Sequence, residues 1–152
     1  MARFNFRLKG FLHIKTKLED QRKLEYGKAL QQLEKEKKKK LQLIEQLGIQ
    51  IKLFRNSLHT LIQPADISRY NNTIESIKHR IIEQDKHIAA AEVHTEEKRV
   101  ALVEAVKERK MLESIKDKQF EEYMREERHA EQKVFDEVTS YQYKLSIHQA
   151  CS

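Results

Sequence analysis

One proline and three glycines are all the turn-forming material that 152 residues contain, and this scarcity constrains the fold more than any other feature of the chain. Pro64 locks its own φ, lacks an amide donor and disfavours helix in the residue before it. A helix running through Gln63 is therefore expected to stop there, with Asp66 or Ser68 capping a new one. Before the break, Leu30, Leu33, Lys37, Lys40, Ile44, Leu47, Ile51, Phe54, Leu58 and Leu61 stand alternately three and four apart, with only the two lysines interrupting an apolar seam. After it, Ile67, Tyr70, Ile74, Ile77, Ile81, Gln84, Ile88 and Ala91 keep the same spacing. Two such seams joined by a short link must run antiparallel and face each other. The sequence predicts an all-α chain of two long helices in an antiparallel coiled-coil hairpin. Its single domain would comprise helix one over about 4–61, a turn over about 62–66, helix two over about 67–145 and a frayed tail at 146–152.

Composition agrees. Charged residues make up 36% and aromatics 7%, with no tryptophan, which is the composition of a long helix or coiled coil, and a two-helix hairpin buries a strip and no globular core. The net charge of +6 invites a nucleic-acid or acidic-membrane reading, but 30 basic residues are interspersed with 24 acidic ones, as on a solvated helical face. A lone cysteine, Cys151, can form no internal bridge and fits a reducing, cytoplasmic setting. The first residues lack the unbroken apolar core and small-residue cleavage site of a secretory signal. No apolar stretch approaches the ~20 residues that a membrane span requires.

Phe4, Leu8, Phe11, Lys15, Leu18 and Arg22 carry the pattern towards the amino terminus, and the phase then slips by about one residue through Tyr26 and Ala29, as at a stutter. Gly10, Gly27 and Gly48 have no turn-forming neighbours and are read as tolerated helix residues. With a fold point near residue 65, position i faces about 130 minus i. That rule sets Lys37 and Lys40 opposite Ala89, Ala90, Ala91, Glu92 and Val93, where lysine stems cross a thin seam towards Glu92, Glu96 and Glu97. By the same rule Phe4 meets about residue 126. The final twenty or so residues of helix two then overhang the amino terminus, and Val134, Val138, Tyr141 and Leu145 give them an apolar stripe that the hairpin itself does not cover.

Chemistry has little to work with. There is no glycine-rich phosphate loop, paired-cysteine site or nucleophile elbow. His79, His87 and His94 are separated along a helix by more than about 10 Å, too far to share one metal with Glu83. Glu126, Glu127, Glu131, Asp136 and Glu137 lie on a face without the desolvation that tunes a general acid. The reading is of a non-enzymatic protein with no cofactor.

Both ends carry a pattern. The opening Phe4-Asn5-Phe6-Arg7-Leu8-Lys9-Gly10-Phe11-Leu12 resembles the F-x-F-x-L-x-x-L/F-L start of the flagellar export protein FliJ family. Arg109-Lys110 with Leu112-Glu113, then Glu131-Gln132-Lys133-Val134-Phe135-Asp136-Glu137, is similar to that family's R-x-x-L-E and E-x-K-x-x-D-E carboxyl-terminal pattern, with Val134-Phe135 standing where a smaller aliphatic is usual before the aspartate. The resemblance implies a component of the bacterial flagellar type III export apparatus, a central stalk like that of rotary ATP synthases. Its implied partners are the export ATPase hexamer, the cytoplasmic domain of the export gate and some export chaperones. Its implied place is the cytoplasm, peripherally at the inner membrane of the flagellar base. Phe4, Phe6, Leu8, Lys133, Asp136 and Glu137 carry over as ATPase contacts, joined by Val138 and Tyr141 from the overhanging stripe. Two alternatives compete with it: a generic coiled-coil tether that self-associates through the overhang, and a nucleic-acid or membrane-surface binder acting through Lys35 to Lys40.

Overall fold

The computed structural model describes residues 3–152 and contains two helices, α1 over Lys9–Ser57 and α2 over Pro64–Ala150. They form an antiparallel hairpin in which α2 is the longer, with 87 residues against 49. Contacts gather into two compact units: Leu18–Ala105, and Met1–Lys17 with Val106–Ser152.

The reversal differs in detail from the expectation. α1 ends at Ser57 rather than near residue 61, and α2 begins on the proline rather than after it. Hydroxyl groups close α1: Ser57 Oγ donates to the Phe54 carbonyl at 2.7 Å and Thr60 Oγ1 to the Ser57 carbonyl at 2.9 Å, covering acceptors that the last turn leaves open. Tight i to i+3 bonds from the His59 and Thr60 amides follow. Pro64 then occupies the first position of α2, where its missing N–H would have had no partner and its fixed φ suits a helix. Gln63, not Asp66 or Ser68, is the flanking residue whose carbonyl receives the first amide bonds, from Asp66 at 3.0 Å and Ile67 at 3.4 Å. Asp66 lies in the first turn, where its charge favours the helix N-terminus.

Moving the fold point back moves the register of the Leu18–Ala105 unit. Ala29 meets Thr95, whose Oγ1 donates to the Ala91 carbonyl of its own helix at 2.7 Å and lies 3.3 Å from the Ala29 carbonyl, and the Phe54 and Tyr70 rings stand 5.8 Å apart; in both pairs the residue numbers add to 124. The expected sum of about 130 is corrected accordingly, and with it the placement of the lysines. Lys40 pairs with Asp85 at 2.6 Å and Lys39 with Glu36 at 3.2 Å, while Glu96 is held by Arg99 at 2.6 Å. Along α2 the seam follows the predicted Tyr70, Ile74, Ile77, Ile81, Gln84, Ile88 and Ala91, then continues through Thr95, Lys98, Leu102 and Ala105. Along α1 it runs through Arg22, Tyr26, Ala29, Leu33, Glu36, Lys40, Leu43, Leu47, Gln50, Phe54 and Ser57 in unbroken four-three alternation. No stutter occurs there. Every second position sits one residue earlier than the apolar pattern suggested, which leaves Leu30, Ile44 and Leu58 exposed.

Lys40 does cross the seam, to Asp85 rather than to Glu92, Glu96 or Glu97, while Lys37 is exposed and a polar layer stands one turn away. Glu36 and Gln84 are both buried, and Gln84 Nε2 donates to the Glu36 carboxylate at 2.5 Å and to the Glu36 backbone carbonyl at 2.9 Å. Gln32 Nε2 donates to the same carboxylate at 2.9 Å. Buried polar atoms are otherwise satisfied: among the described residues none lacks a hydrogen-bond partner. The Gln84 amide first, and the Lys39 ammonium second, hold the Glu36 carboxyl below the ordinary carboxylate range. A carboxyl lowered in the folded state stabilises the fold above the unfolded value, and that contribution is lost as pH falls through the folded one. Glu36→Gln should therefore flatten the acid limb of the stability curve, read as the change in urea midpoint between neutral and acid pH against the parent protein.

A methyl group built on Gly27 or Gly48 meets nothing within 4 Å. Both lie in regular helix without positive φ, so only the backbone entropy of glycine is at stake. Gly27→Ala and Gly48→Ala should each stabilise the hairpin by about 1 kcal/mol, visible as a higher urea midpoint.

Candidate partner-binding site

The unit formed by Met1–Lys17 and Val106–Ser152 is built on the amino-terminal aromatic motif. Helix over residues 4–8 is not observed; α1 starts at Lys9, with the Leu8 carbonyl accepting the Leu12 amide at 2.9 Å. Two residues apart, Phe4 and Phe6 would point to nearly opposite sides of a helix, and only a non-helical backbone lets both turn inward. Phe4 packs edge-on against Phe120 with centroids 5.2 Å apart and lies 5.4 Å from Tyr123, so its seat is about one turn earlier than residue 126. Phe6 is buried at 4% exposure. Leu8 is exposed, and Lys15, which sits over the Phe11 ring, ties the unit together through Glu108 at 2.7 Å.

Burial and, secondarily, the Glu127 carboxylate push the Tyr123 hydroxyl above the ordinary tyrosine range. Glu127 is also the last residue of α2 with partial cover. From Arg128 to Ser152 each residue is exposed, yet α2 continues to Ala150, through the segment expected to fray. Local bonds carry it: Thr139 Oγ1 donates to the Phe135 carbonyl at 2.8 Å, Ser146 Oγ to the Tyr143 carbonyl at 2.7 Å, and the Cys151 amide to the Ile147 carbonyl at 3.1 Å.

On this bare stretch Val134, Val138, Tyr141 and Leu145 form the stripe read from the sequence, all at least 45% exposed. Phe135 widens it, and sequence reasoning missed it because it falls beside the four-three positions rather than on them. Ala130, Glu131, Val134, Phe135 and Val138 line one shallow apolar groove, and Tyr141, Lys144, Leu145, Ile147 and His148 line another. Lys133, Asp136 and Glu137 share a polar flank with Ser140, Tyr141 and Lys144. Of the eight residues singled out in the sequence, Lys133, Asp136, Glu137, Val138 and Tyr141 thus cluster on the bare helix. Phe4 and Phe6 instead pin the amino-terminal segment, and Leu8 stands beside them at the surface.

No group of three histidine, cysteine or acidic side chains able to hold a metal occurs among the described residues, and Glu83 is engaged by Lys86 at 3.0 Å. No helix there is long and apolar enough to cross a membrane. What the arrangement offers is a surface. The model of the flagellar FliJ protein family matches residues 4–146, from the ring that seats the amino terminus to the stripe beyond it. The chain belongs to the flagellar FliJ family. It is therefore of the class of flagellar type III export components. Among solved structures, a protein of Chlamydia trachomatis described as a YscO homologue is similar, with a TM-score of 0.56 at 20% identity, covering 94% of this chain and 97% of that one. At that identity the likeness speaks for the fold. No curated protein sequence matches.

Removing the Phe4 ring tests how the family's opening motif works. Phe4→Ala loses two ring contacts, each worth about 1 kcal/mol. Amide exchange should quicken from Arg7 to Leu12, and Tyr123 should titrate closer to an ordinary tyrosine. Unchanged exchange would mean that the ring does not hold the segment down.

Proposed function

We propose that the chain acts as a non-catalytic stalk of the flagellar export machine, entering the ring of the export ATPase with the end at which Phe4 and Phe6 are seated. The single observation that carries this reading is the stretch of α2 beyond Glu127: a regular helix with an apolar stripe and no cover from its own chain. Helices of that kind are docking surfaces. Val138 and Tyr141 supply the apolar contact, Lys133, Asp136 and Glu137 orient it, and Leu8 extends it at the amino-terminal side. Phe4 and Phe6 serve indirectly, by fixing the base from which the helix projects. A single helix meeting a ring of identical subunits touches them unequally, and unequal contacts bias either ring assembly or the order of nucleotide turnover. The export gate's cytoplasmic domain and export chaperones are the further partners proposed, with the chain working at the cytoplasmic side of the flagellar base.

The test is the hydrolysis rate and oligomeric state of the cognate export ATPase with and without the full chain. Addition of the chain should raise turnover and the ring population. Val138→Asp together with Tyr141→Asp should abolish at least about nine-tenths of that effect, as expected for central apolar contacts, with helix content unchanged by circular dichroism. An ATPase indifferent to the parent chain would overturn the reading.

A further inference from the structure

We infer that, when no other partner holds it, the bare end of α2 pairs antiparallel with the same segment of a second copy of this chain. The inference rests on the same exposed stripe as the stalk reading but not on the identity of the ATPase. Glu131, Val134, Val138, Tyr141, Leu145 and His148 fall on one seam with three-four alternation, so two copies can interlock as a short coiled coil.

Charge then selects the direction. A parallel, in-register pair would set Glu131 against Glu131 of the other copy inside the seam, an unfavourable like-charge layer. Turned antiparallel, Val138 meets Tyr141 of the second copy, Val134 meets Leu145, and Glu131 meets His148. Glu137 and Lys144 lie seven residues apart on the same flank, both bordering the polar hollow beside Tyr141. In the antiparallel register each therefore faces its opposite sign on the second copy, and the pairing occurs twice by symmetry.

The available length fits as well. In this register Ala150 of one copy stands opposite His129 of the other, just past Glu127, the last covered residue, and clear of Tyr123, where Phe4 is seated. The overlap uses the uncovered helix and disturbs nothing already packed.

Sedimentation velocity of the full chain, in the absence of the ATPase, tests this. Monomer should convert to dimer as concentration rises through the micromolar range. At low salt Glu137→Lys should weaken the dimer about tenfold, Lys144→Glu likewise, and the double charge swap should restore it. Cys151 reads the direction: antiparallel pairing puts it beside Ala130 of the second copy, so Ala130→Cys should give a disulfide-linked dimer under mild oxidant. A chain that stays monomeric throughout, a double swap no better than either single change, or ready Cys151 to Cys151 linkage in the parent protein would each overturn the proposal. None of those results bears on whether the chain stimulates the ATPase, which is measured separately.

Discussion

A hairpin of two helices has a single line of contact, so its structure depends on which residue meets which across that line. In the Leu18–Ala105 unit the choice is made by Glu36 and Gln84. An apolar layer slides by a heptad at little cost, whereas a buried carboxylate and amide moved out of register would be left unsatisfied. The amide gives one hydrogen to the carboxylate and the other to the backbone carbonyl of the same residue, so side chain and main chain of α1 are fixed together. Thr95 adds less to the choice, since its hydroxyl is satisfied by the Ala91 carbonyl of its own turn and only lies near the Ala29 carbonyl. The buried apolar residues around these layers are mostly small or medium: Ala29, Leu33, Ile74, Ile77 and Ala105. They supply adhesion, and the polar groups supply address.

How much of this is legible in the sequence differs between the two helices. α2 carries β-branched isoleucines on its seam and few competing apolar residues beside it, so Tyr70 to Ala91 can be read directly. α1 has apolar side chains on two adjacent lines. Leu30, Ile44 and Leu58 make a better hydrophobic pattern than Ala29, Leu43 and Ser57, and pattern matching prefers them. The structure prefers the second line because it continues unbroken through Arg22 and Tyr26, removing any need for a stutter, and because it brings Glu36 rather than Lys37 to the amide of Gln84. Partner chemistry decided between two lines that periodicity alone ranks the other way. Pro64 misled in a similar manner: its power to break a helix is evident from sequence, but its suitability for the first helical position shifts the reversal by a few residues and every facing pair with it.

At the other unit the same contrast appears. Phe4 continues the four-three pattern and so reads as helix, whereas Phe6 falls off it; the segment leaves the helix, which lets both rings turn inward. The exposed stripe of Val134, Val138 and Tyr141 was readable because nothing else on that part of α2 competes with it. The family match runs over residues 4–146 and marks no stretch above another, so it is the lack of cover beyond Glu127 that draws attention to this end of α2.

The uncovered stretch also has a thermodynamic side. A lone helix of this length in water holds itself together only by its own hydrogen bonds and stands near the balance point between order and coil. Warming should unwind it gradually, well before the packed hairpin melts cooperatively. A partner of the proposed kind would have to offset the ordering entropy as well as make the contact, so its grip would weaken more steeply with temperature than on a preformed surface.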